Sequence, residues 1–185
     1  MTKKNLLLSL RLFIFTLVFF AFCGFQTSGW NFIFNSLPSP QLWLIFIVYI
    51  GYKWSQKLAV SYIYFLGFIL TFYTYAPLKM VWMTLFALVL FIWFFKNRIH
   101  SNSLFFFSVL VTSSSLFFTL AYIIISGWLE SNSTPIHFVH RLLEIGLNFL
   151  FSLPVYKFLH FIDNKLQPSE PWGPTHTGQS SEVEA

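Results

Sequence analysis

The sequence predicts an all-α integral membrane protein with about six transmembrane helices. Three observations predict it. The chain is 56% hydrophobic and 9% charged, whereas soluble domains carry roughly 25% charged residues. Its apolar residues gather into runs near the length that crosses a bilayer. Its Lys and Arg residues often stand at the ends of those runs, where topology signals are found. A soluble fold of 185 residues would leave too much apolar surface in water, and a bilayer removes that limit.

The first run covers residues 6–25, after Lys3 and Lys4. It exceeds a signal-peptide core and lacks a small-residue cleavage site, so a retained helix is expected. Residues 26–41 carry no charge, and Pro38 and Pro40 break any helix there. The aromatic stretch 30–37 is expected at the interface or re-entering the protein. The second run, 42–52, is short. It must borrow residues 38–41 or sit where the bilayer is thinned. The third, fourth and fifth runs, 58–76, 80–95 and 104–128, are each near spanning length.

Ser133-Thr134-Pro135 then signals a helix start, with a hydroxyl cap and a first-turn proline. The sixth run continues to about residue 162, with Pro154 expected to kink it. Residues 1–166 therefore read as one six-helix transmembrane domain. Residues 167–185, rich in Pro, Gly, Ser and Thr, read as a disordered cytoplasmic tail.

Charge sets the orientation. With a cytoplasmic N-terminus, the inner segments hold Lys3, Lys4, Lys53, Lys57, Lys96, Arg98 and Lys165, and the outer ones hold Lys79. That bias places both termini in the cytoplasm. Trp43, Trp54, Trp82, Trp93 and Trp128 fall near helix ends, where interfacial tryptophan is expected. The net charge of +5 is spread along the chain and gives no case for nucleic-acid binding. The single cysteine, Cys23, allows neither an internal disulfide nor a thiolate cluster.

Runs two to five hold no Asp, Glu, Lys or Arg away from their ends, which argues against an ion-coupled pump. The exception lies at the start of the sixth run. His137, His140, Arg141, Glu144 and Asn148 follow i, i+3, i+4, i+7 and i+11 spacing and share one helix face. The favoured reading is a packing face, with Arg141 and Glu144 paired three residues apart. A partner-protein contact comes second. A metal site from His137, His140 and Glu144 comes last, since one helix supplies few ligands. Arg11, one turn into the first helix, reads as snorkelling to the surface or as a buried interhelical contact. Thr112-Ser113-Ser114-Ser115 reads as a close-packing stretch on the fifth helix. No phosphate loop, CxxC, HExxH or GxSxG pattern occurs, so no catalytic residue, metal centre or cofactor is expected.

Residues 67–80 read GFILTFYTYAPLKM and resemble the G-L-x-x-D…P-L-G signature of the rod-shape-determining MreD family. Gly67 matches the first Gly, and Pro77 and Leu78 match the P-L pair. The family's Asp falls on Thr71 and its final Gly on Lys79, which removes the one intramembrane carboxylate of the pattern. Residues 40–51 resemble the family's P-x-L-L-L second span. Residues 144–159, with Asn148, Pro154, Val155 and Tyr156, are similar to its last helix, N-x-L-x-x-x-x-V-Y.

The resemblance implies a compact bundle similar to the substrate-binding subunits of vitamin transporters. It implies a non-enzymatic inner-membrane scaffold of cell-wall elongation. Its partners would be an MreC-like periplasmic protein, other elongation-complex membrane proteins and, through them, cytoplasmic MreB. A small-molecule-binding subunit of a transporter is the alternative reading. A lipid- or isoprenoid-active enzyme would have to rest on the His137–Asn148 face.

Overall fold

The apolar runs become helices, which satisfy their own backbone hydrogen bonds, as a chain crossing a bilayer must. The computed structural model describes residues 3–35, 37–74, 76–98, 103–129 and 138–166. Helix α1 covers Lys3–Gly24, followed by a π-helical turn at Phe25–Gly29 and α2 at Trp30–Ile33. Then come α3 (Leu42–Lys53), α4 (Gln56–Leu70), α5 (Leu78–Arg98), α6 (Leu104–Leu129) and α7 (Phe138–Leu166). No strand occurs among the described residues. Four helical stretches are long and apolar enough to cross a membrane: Asn5–Ile33, Leu78–Arg98, Leu104–Trp128 and Val139–Leu166.

The centre of the bundle is α3, which packs against α1, α4, α5, α6 and α7. Every residue from Leu42 to Tyr52 is buried. This explains why its sequence is apolar on all sides rather than on one stripe. Tyr49 meets Phe15, Phe107 and Tyr156 at centroid distances of 6.4, 6.3 and 5.7 Å. Phe46 meets Phe15 and Phe19 at 5.7 and 5.3 Å. Such offset and tilted aromatic pairs contribute about 0.5–1.5 kcal/mol each beyond burial.

Twelve residues make a helix about 18 Å long, shorter than the roughly 30 Å hydrocarbon layer. The flanking residues Gln41 and Trp54 are buried, so both ends of α3 leave orphan backbone groups inside the protein, and side chains of other helices bond some of them. At the start, Asn148 Oδ1 accepts the Gln41 backbone N–H at 2.6 Å. At the end, Lys96 Nζ donates to the carbonyls of Trp54 at 2.8 Å and Gly51 at 3.4 Å. A cation at a helix C-terminus also complements the helix dipole.

Three expectations are corrected. First, the first helix does not end near residue 25, because it continues to Ile33. Thr27 Oγ1 donates back to the Cys23 carbonyl at 2.9 Å, and Asn31 Nδ2 to that of Thr27 at 3.1 Å. These bonds carry the chain through the π turn. Gly29 is needed there: a Cβ would sit 2.8 Å from the Phe25 ring.

Second, the run at 58–76 is not one long span. Helix α4 stops at Leu70. The chain then tightens into turn bonds, Phe72 N–H to Ile69 and Tyr73 N–H to Leu70. Pro77 disfavours helical backbone at the residue before it.

Third, Trp43 and Trp54 are core residues rather than interfacial anchors, at 7% and 3% exposure. Trp43 packs edge-on against Phe118 at 5.1 Å, and Trp54 stacks on Tyr62 at 5.2 Å. Trp82 and Trp128 are exposed. The helix-start signal at 133–135, His137 and the tail at 167–185 lie outside the described residues.

Candidate functional site

Two polar groupings stand at the two ends of α3. At its C-terminal end, Arg11 of α1 reaches Asp163 of α7, with Nε to Oδ1 at 2.8 Å and Nη2 to Oδ1 at 2.6 Å. Their side chains are 12% and 2% exposed. The Tyr49 hydroxyl donates to Asp163 Oδ2 at 3.3 Å. The Arg11 guanidinium also lies 4.2 Å from the Trp54 ring centroid, a cation–π contact. The carboxylate is thus held by a cation and a phenol, and the cation by a carboxylate and an aromatic face. Arg11 makes an interhelical contact rather than snorkelling to the surface.

At the N-terminal end the groups are mostly neutral. Gln41 stands just before α3. Its side-chain Oε1 accepts from Ser115 Oγ at 3.1 Å and Asn148 Nδ2 at 3.3 Å. Asn148 Nδ2 also donates to Ser115 Oγ at 2.8 Å. Gln41, Ser115 and Asn148 are all buried, and three elements contribute one residue each. Ser115 reaches this position because small polar residues let α6 approach α7 closely. One turn along α7 from Asn148 and two turns along α6 from Ser115, Ser152 Oγ bonds Ser108 Oγ at 2.7 Å, continuing the seam.

Beside this cluster lies a cavity of about 520 Å³. That is within the roughly 300–1,000 Å³ range of small-molecule pockets. Its wall includes Gln26, Gln41, Trp43, Phe118, Arg141 and Glu144. Arg141 Nη1 donates to Glu144 Oε2 at 2.7 Å, and Gln41 Nε2 approaches the same oxygen at 3.4 Å. The Arg141 and Glu144 side chains are 41% and 18% exposed.

The polar face expected on the last helix is thus divided. Asn148 is buried in the bundle, Glu144 and Arg141 edge the cavity, and His140 is exposed. The residues that match the MreD-like pattern are placed structurally. Gly67 faces α5 so closely that a Cβ would lie 2.6 Å from Leu85 Cδ1. Leu78 opens α5, and Pro77 lines the cavity. Thr71 Oγ1 donates to the Phe68 carbonyl at 2.7 Å, closing α4.

Sequence reasoning missed Gln41, Gln26 and Asp163. Asp163 had a readable signal, a lone acid just past an apolar run that ends among basic residues. Gln41 and Gln26 had none, because their roles depend on residues far along the chain. Comparison with protein-family models, curated proteins and solved structures finds no match for this chain.

Proposed function

We propose that the chain is a multi-pass protein of the bacterial inner membrane, with six crossing helices and both termini cytoplasmic. We propose that it acts as a non-enzymatic scaffold of the cell-elongation machinery, joining an MreC-like periplasmic protein, and through it MreB, to peptidoglycan synthesis. The observation that carries this reading is where the MreD-like residues fall. Gly67 seats α4 on α5, Asn148 caps α3, and Tyr156 packs on Tyr49. Residues at the joints of a bundle are those that a shared architecture would retain.

The short α3 is compatible with a crossing. Asn148 and Lys96 satisfy its ends within the protein, as irregular backbone at membrane depth requires. The step from a shared fold to a shared role is analogy, and a cell experiment decides it. Depletion is expected to round the cells, and the tagged protein to co-purify with the MreC-like partner. Normal rod shape after deletion contradicts the scaffold role.

A further inference from the structure

The cavity beside Gln41 has features that a packing seam does not need. We infer that it binds a zwitterion: an anionic group close to a protonated amine, carried on an apolar body. This inference is independent of the scaffold reading.

Three groups set the chemistry. Arg141 spends Nη1 on Glu144, and its Nε and Nη2 have no hydrogen-bond partner among the described residues. Those two donors form one side of the guanidinium fork, which matches a carboxylate or phosphate. Glu144 holds Arg141 and Gln41 through Oε2. Its Oε1 has no hydrogen-bond partner among the described residues, so it can accept from an ammonium. Gln26 lines the same cavity, and its Oε1 is buried without a hydrogen-bond partner among the described residues. An unmet buried acceptor costs about 1–3 kcal/mol, which a ligand N–H would relieve.

The setting of these groups supports a site. Gln26 belongs to the π-helical turn at Phe25–Gly29. Such turns occur frequently at functional sites. Gln41 is fixed by Ser115 and Asn148, so the polar wall is preorganised. The apolar wall is the edge-on pair Trp43 and Phe118, 5.1 Å apart, which suits an aromatic or alkyl body. A cation and an anion side by side make the wall neutral overall. That favours a zwitterion over a simple anion or cation.

Two sources carry this chemistry: a free amino acid, and the headgroup of phosphatidylethanolamine entering from the bilayer. The full chain is reconstituted in phosphatidylglycerol nanodiscs. It is then exposed either to an equimolar mixture of the twenty amino acids or to 5 mol% phosphatidylethanolamine in the disc. Native mass spectrometry reads bound mass, and thermal unfolding reads stabilisation.

One arm is expected to give a saturable adduct and a raised Tm, which names the source. Arg141→Gln and Glu144→Gln are each expected to weaken it by about tenfold or more. Should either variant unfold without ligand, Thr119→Phe, at another residue of the cavity wall, serves instead. It narrows the cavity while keeping both charges, and is expected to abolish the adduct. No saturable adduct in either arm overturns the inference. So does an adduct that survives all three substitutions.

Discussion

The two ends of α3 solve the same problem in opposite ways. Each leaves backbone groups without intrahelical partners inside the protein. At the C-terminal end, charges close the structure: Lys96 caps the carbonyls, and Arg11 and Asp163 tie α1 to α7 beneath Tyr49 and Trp54. At the N-terminal end, a neutral amide–hydroxyl network does the capping, and the charged pair Arg141–Glu144 edges a cavity, joined to the network through Gln41. The first arrangement pairs its charges internally and is a clamp, although the Trp54 indole N–H there is buried without a hydrogen-bond partner among the described residues. The second leaves donors and acceptors facing open space, which is the condition for binding. Polar residues in this apolar bundle are thus not one category. Their use depends on whether their partners are all internal.

Substitutions sharpen the contrast, in descending order of effect. Asp163→Ala strands a buried guanidinium and is expected to cost about 3–5 kcal/mol, read by denaturant unfolding in detergent. Replacing both partners with apolar residues, Arg11→Met with Asp163→Leu, should recover most of that loss. Gly67→Leu drives a side chain into Leu85 and Trp82 and is expected to cost about 1–3 kcal/mol or more by overpacking. Asn148→Leu removes the cap from α3 and leaves Gln41 unsatisfied, a loss of about 1–3 kcal/mol. Ser152→Ala breaks one interhelical bond to Ser108. Interhelical hydrogen bonds in membranes average about 0.6 kcal/mol, so the expected change is near that value. A loss at Asn148 as large as that at Asp163 would erase the distinction between the ends.

The long helices were legible because length and apolarity alone specify them. The runs at 80–95 and 104–128 correspond to α5 and α6 within a few residues. The sequence predicts a shorter first helix because Gln26, Thr27, Ser28 and Gly29 look like a break. The side chains of Thr27 and Asn31 instead bond back along the helix. The run at 58–76 was read long because apolar composition does not reveal where the chain turns. Asn148 was singled out as one of a stripe, yet its partners Gln41 and Ser115 lie 107 and 33 residues away. No local pattern encodes such a meeting. Arg11 was visible as an unusual charge, and Asp163 was not paired with it because 152 residues separate them.

Paired double-mutant cycles test the contrast between the ends most directly. One cycle joins Arg11 and Asp163, and the other joins Arg141 and Glu144, both read as unfolding free energy of the intact chain. The expected coupling is about 2–3 kcal/mol for the buried clamp and at most about 1 kcal/mol for the half-exposed pair at the cavity. Equal couplings, or a stronger one at Arg141–Glu144, would contradict the assignment of one end to stability and the other to binding.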